Sequence, residues 1–100
     1  MKEINNHIIE IQKLCLQHHV RSLYAFGSVL QDGLKESSDI DMIVEFQPLE
    51  LKHYANNYYQ LKFSLQQVLN RPVDLLENQA IKNPYFRKEI EKKKQPVYVA

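Results

Sequence analysis

One hundred residues, 44% of them hydrophobic, suffice for one small core but not for a catalytic domain with a separate recognition domain, so a single domain over residues 1–100 is expected. The formal charge of +1 argues against a protein held to nucleic acid by bulk electrostatics, and a lone cysteine, Cys15, excludes an internal disulfide or a cysteine-rich zinc site. No run approaches the roughly 18 apolar residues of a membrane span, and the N-terminus has no leader pattern, which makes a soluble cytoplasmic domain the expectation.

Ile4, Ile8, Ile11 and Leu14/Cys15 recur at helical spacing and predict a helix over about residues 3–18. Ser22–Phe26 is short and aromatic and ends at Gly27, as a strand entering a tight turn does. Asp39–Phe46, "DIDMIVEF", reads as a second strand, expected to lie beside the first. Leu51, Tyr54, Tyr58, Leu61, Leu65 and Val68 alternate three and four apart and predict a long amphipathic helix, opened near Pro48 and stopped before Pro72. A third strand is expected at Val73–Leu76. The last helix has Asn83 as its cap and Pro84 at its first position, and a short strand "VYV" follows. The fold class is therefore α+β: a small mixed β-sheet flanked by helices.

Both glycines of the chain, Gly27 and Gly33, fall in one short stretch. A glycine where a strand ends lets the backbone turn sharply and approach a ligand without a Cβ in the way. If Ser28–Gln31 begin a short helix, its free amides suit phosphate. A P-loop is excluded, because five residues separate the glycines and Leu34, Lys35 and Glu36 follow the second. An EF-hand loop is excluded because Met42–Val44 are apolar where oxygen ligands are needed.

Asp39 and Asp41, two apart on a strand, share a face with side chains roughly 6 to 7 Å apart. At an effective dielectric of about 20 such a pair repels by roughly 2.5 kcal/mol. Asp74 is a further acid within an apolar strand. Singly, each feature is an ordinary turn or an exposed strand residue. If the strands pair, three carboxylates beside a phosphate-binding turn supply the oxygen ligands of magnesium, with substrate phosphates and water completing the shell.

Strand, Gly-Ser, a spacer of ten, Asp-x-Asp and a distant strand aspartate, "FGS...SDIDMIV...VDLL", resemble the nucleotidyltransferase superfamily that includes DNA polymerase beta, and in particular its minimal single-domain members. The resemblance covers nearly the whole chain. It implies the polymerase beta-like fold, with Gly27 and Ser28 holding nucleotide phosphates and Asp39, Asp41 and Asp74 ligating two Mg²⁺ ions. Asp74 would also be the base toward the acceptor hydroxyl. It further implies ATP as substrate and a HEPN-type toxin as partner, neutralised by transfer of AMP to one of its tyrosines. Where many members have arginine and glycine, this chain has Gln31 and Asp32, with Gly33 one position later. The alternatives are an antitoxin acting by contact alone, or transfer to RNA or a small molecule; a homo-oligomer stays open.

Other residues read as structural. His18 and His19 suit a helix end, and with His7 and Cys15 do not make a convincing zinc site. Tyr54 and Tyr58 lie on the core stripe of the long helix, and Tyr59 lies off it. Lys92–Lys94 read as a solvated helix end, with nucleic acid or an acidic partner as the weaker reading. Residues 81–100 carry six Lys/Arg against two Asp/Glu. Glu45 and Glu77 are expected to face solvent.

Overall fold

The computed structural model describes residues 1–31, 35 and 38–100. Asp32 and Gly33, named above for the turn, and Leu34 and Glu36, used to exclude the P-loop, lie outside the described residues. The chain runs α1 (Lys2–Asn5), α2 (Ile8–Gln17), β1 (Val20–Phe26), a 3₁₀ turn (Gly27–Leu30), β2 (Ile40–Phe46), α3 (Leu51–Leu69), β3 (Val73–Glu77), α4 (Pro84–Lys93) and β4 (Gln95–Val99), with a second 3₁₀ turn at Asn78–Ala80.

Among the described residues four strands form one mixed sheet in the order β3-β2-β1-β4. β1 is antiparallel to both β2 and β4, whereas β2 and β3 are parallel, with α3 as the crossover between them. Strand side chains alternate between the two faces. Ile40, Met42 and Val44 of β2 join Leu23, Ala25, Val73 and Leu75 in the main core, which α1, α2 and α3 cover through Ile4, Ile11, Cys15, Leu61, Leu65 and Leu69. The other face carries a smaller cluster, Ile43 with Ile81, Ile90 and Phe26, covered by α4. The expected α+β fold is the observed one.

Three local readings change. The N-terminal helix is two pieces, because His7 takes a non-helical conformation (φ −124°, ψ 21°) as the cap of α2. The poor helix formers Asn5, Asn6 and His7 permit the break, and the apolar period survives it. Leu51 is 89% exposed instead of packed. A 19-residue helix is about 28 Å long against about 23 Å for a seven-residue strand, so its first turn overhangs. Leu69, just past the predicted stripe, is buried. The expected Asn83 cap is in place, its side chain accepting from the amides of Tyr85 (2.9 Å) and Phe86 (3.2 Å).

Candidate active site

The three aspartates gather at the end of the sheet where β1 stops and β2 and β3 begin. In the register, Asp41 is opposite Phe26 of β1 on one side and Asp74 of β3 on the other. Neighbouring strands stand about 4.8 Å apart, so Asp41 and Asp74 are side by side. Their neighbours Ile40, Met42, Val73 and Leu75 point into the main core, so the two acids project from the opposite face. Asp39 lies just ahead of β2 and is exposed, while Asp41 is half-buried. The starts of the two strands are tied by the amide of Ile40 donating to the carbonyl of Pro72 at 3.0 Å.

Crowding shows in the chemistry of Asp41. Burial, then the negative charge of Asp74, then that of Asp39, raise its carboxyl above the ordinary range. Each of these causes is relieved by a cation. Among the described residues no three His, Cys, Asp or Glu side chains close into a ready-made metal cage. Three hard oxygen donors that repel one another and leave coordination positions to water and phosphate suit magnesium, which dehydrates reluctantly and is rarely held by protein ligands alone.

Gly27 forms the adjoining wall. It has φ +75°, a left-handed conformation that favours glycine, and a Cβ built on it would stand 2.6 Å from Asp41 Oδ2. Two independent constraints therefore require glycine here. Exposed Ser28 follows, its carbonyl accepting from the amide of Gln31 at 3.1 Å to close the turn, while buried Val29 anchors it in the main core. The sequence reading overlooked Arg71, whose guanidinium donates to the carbonyl of Lys35 and links the approach to β3 with the segment preceding Asp39. A cation two residues before a strand that carries an acid was the available signal.

The residues set aside are accounted for structurally. His18 Nδ1 lies 2.8 Å from the carbonyl of Leu14 at the end of α2. Burial pushes the Cys15 thiol up to about 12, which leaves it neither nucleophile nor ligand. Tyr54 and Tyr58 are half-buried and donate to Glu77 Oε2 (2.6 Å) and to the carbonyl of Leu75. Glu77 is thus engaged, contrary to the solvent-facing expectation, and Glu45 also has partners, Arg21 at 3.4 Å and Asn78 at 3.5 Å. Tyr59 is exposed and stacks on Phe63. A cavity of about 330 Å³, lined by Arg21, Phe46, Pro48, Tyr54, Glu77 and Asn78 among others, includes none of the three aspartates. It lies at the opposite end of β2 and β3.

Asp41 and Asp74 on adjacent strands beside a glycine turn suit metal-assisted chemistry on a phosphate, and comparison with known proteins gives the family. The chain belongs to the polymerase beta nucleotidyltransferase family, whose model, described as "Polymerase beta, Nucleotidyltransferase", matches residues 9–100. It therefore carries a nucleotidyltransferase domain. A Methanocaldococcus jannaschii protein named as a candidate protein adenylyltransferase is 40% identical over 75 residues, which cover 75% of this chain and 74% of that one. Among solved structures, one described as a candidate minimal nucleotidyltransferase superposes with a TM-score of 0.78 at 23% identity, covering 95% of this chain and 93% of that one. A chain from the complex of a tri-AMPylated Shewanella oneidensis HEPN toxin with its MNT antitoxin superposes with a TM-score of 0.65 at 18% identity, covering 97% and 73%. At these identities the structural likenesses establish the shared fold.

Proposed function

We propose that the protein is a magnesium-dependent adenylyltransferase that moves AMP from ATP to a tyrosine hydroxyl of a HEPN-type toxin, and so acts as its antitoxin. The observation that carries the chemistry is the register of Asp41 against Asp74 on adjacent parallel strands, with Asp39 two residues earlier and Gly27 against Asp41. The adenylyltransferase name of the 40% identical relative and the AMPylated toxin in the structural neighbour support the donor and the acceptor. A single minimal domain over residues 1–100, working in the cytoplasm, fits this reading. Among the described residues no helix is long and apolar enough to cross a membrane.

In this reading Gly27 lets the phosphates approach the backbone, and the turn beginning at Ser28 holds them. Asp39, Asp41 and Asp74 would hold two Mg²⁺ ions, which would supply charge stabilisation at the reacting phosphate. The acceptor oxygen attacks the α-phosphorus, its proton passes to the Asp74 carboxylate, and the bond from the α-phosphorus to the bridging oxygen breaks. Pyrophosphate leaves and AMP stays on the acceptor. Cations bound there would relieve the repulsion among the three acids and leave coordination positions for the nucleotide phosphates, which couples metal binding to nucleotide binding.

Label transfer from α-phosphate-labelled ATP with magnesium, with and without a co-expressed HEPN partner, tests this with wild type and Asp39→Asn. Label on the partner, absent with the variant, is expected. Wild-type transfer by Asp39→Asn would sink the assignment of the acids. No label despite a stable complex would make the protein an antitoxin that acts by contact.

A further inference from the structure

Lys92 and Lys93 stand at the end of α4, where cations suit the helix dipole, and each pairs with Glu89 at 3.9 and 3.7 Å. Those pairs are long and lie between largely exposed side chains, so they hold the lysines weakly. Lys94 is differently placed. Its Nζ is 3.0 Å from Glu91 and lies over the Tyr24 ring at 4.3 Å, which leaves it occupied.

The dipole and the glutamate do not account for where the first two lysines sit. An open cavity of about 630 Å³ is lined by Gly27, Leu30, Gln31, Lys92, Lys93 and Gln95 among others. β4 follows α4 and pairs with β1, with Gln95 opposite Ala25, and this pairing brings the end of α4 beside the turn that follows β1. Gly27 therefore faces two groups. Asp41 lies against it, and Gly27 also forms part of the wall of the lysine-lined cavity. Gln31, which caps the 3₁₀ turn, is neutral, so the described part of the turn contributes no cation of its own to that cavity.

A nucleoside triphosphate lying across Gly27 would have its α-phosphate toward the acids and its remaining phosphates toward this cavity. A triphosphate beside three carboxylates carries more negative charge than two divalent ions neutralise, and lysine is a compact charge on a flexible stem that can follow a phosphate. We propose that Lys92 and Lys93 bind the β- and γ-phosphates of the donor nucleotide, and stabilise the pyrophosphate as it leaves. This rests on the reading of the aspartates as the transfer site.

Binding measured by titration calorimetry separates the two ideas, with ATP and AMP in magnesium buffer as the probes. The proteins are wild type, Lys92→Gln/Lys93→Gln and the control Lys88→Gln, whose side chain lies on the same helix but is not part of the cavity wall. Both lysines are exposed, so the variants should melt with wild type. The expected result is about tenfold weaker ATP binding by the double variant, with AMP binding and the Lys88→Gln control unchanged. Equal ATP affinity in wild type and double variant would overturn the lysine assignment and leave the transfer reading standing. Equal weakening of ATP and AMP would also overturn it. Absence of ATP binding by wild type would instead overturn the transfer reading and this inference with it.

Discussion

The Asp41 carboxylate occupies the space where a side chain on Gly27 would begin, with Oδ2 2.6 Å from the position of the missing Cβ. Gly27→Ala would force Asp41 aside and place alanine at φ +75°. The backbone term costs about 1–2 kcal/mol. A lower urea midpoint together with loss of nucleotidyl transfer is expected, and a variant retaining both would show that the contact has no role.

Asp41→Asn should behave in the opposite sense on stability. The folded-state pKa of Asp41 is raised, chiefly by burial and then by Asp74 and Asp39, so its ionisation opposes folding. That penalty is present at neutral pH and fades as pH falls through the folded pKa. Asparagine should therefore raise the Tm at pH 7 in metal-free buffer, by an amount that solvent screening keeps small. The gain should vanish toward pH 3. Magnesium with ATP should raise the Tm of wild type and not of the variant.

Tyr54→Phe tests the far end of the sheet. It leaves Glu77 without its 2.6 Å donor in a half-buried place, a loss of about 1–2 kcal/mol in chemical denaturation. Since Tyr54 lines the cavity that includes none of the three aspartates, nucleotide affinity should stay at the wild-type value. A change in ATP binding without a change in stability would contradict this division of the molecule.

Asn83→Ala removes the side chain that accepts from Tyr85 and Phe86 and should cost about 1 kcal/mol. If α4 carries the phosphate-binding lysines, loosening its first turn should leave the ATP affinity nearly intact, because Ile90 and the β4 pairing hold its far end. Thermal melts and ATP titration of one preparation read both effects.

The fold was legible wherever the signal was local. The Asn83-Pro84 pair marked the start of α4, the spacing of Leu61 and Leu65 marked the buried face of α3, and Gly27 after an aromatic run marked the end of β1. His7 was misread because Ile4, Ile8 and Ile11 keep one face whether or not the helix is continuous. Leu51 was misread because periodicity reports a helix face and not how far the sheet beneath it extends. Glu77 looked solvent-facing because nothing near it in sequence announces Tyr54, which is 23 residues away.

The sequence by itself singled out the candidate site residues, because an acid within an apolar strand and a glycine at a strand end stand out by type and position. Only the tertiary structure decided that Asp41 and Asp74 are register partners on parallel strands. It alone set Asp41 against Gly27 and lined the cavity beside that glycine with Lys92 and Lys93. Strand pairing across a crossover joins residues far apart in the chain, and local periodicity fixes the face of a strand without naming its neighbour.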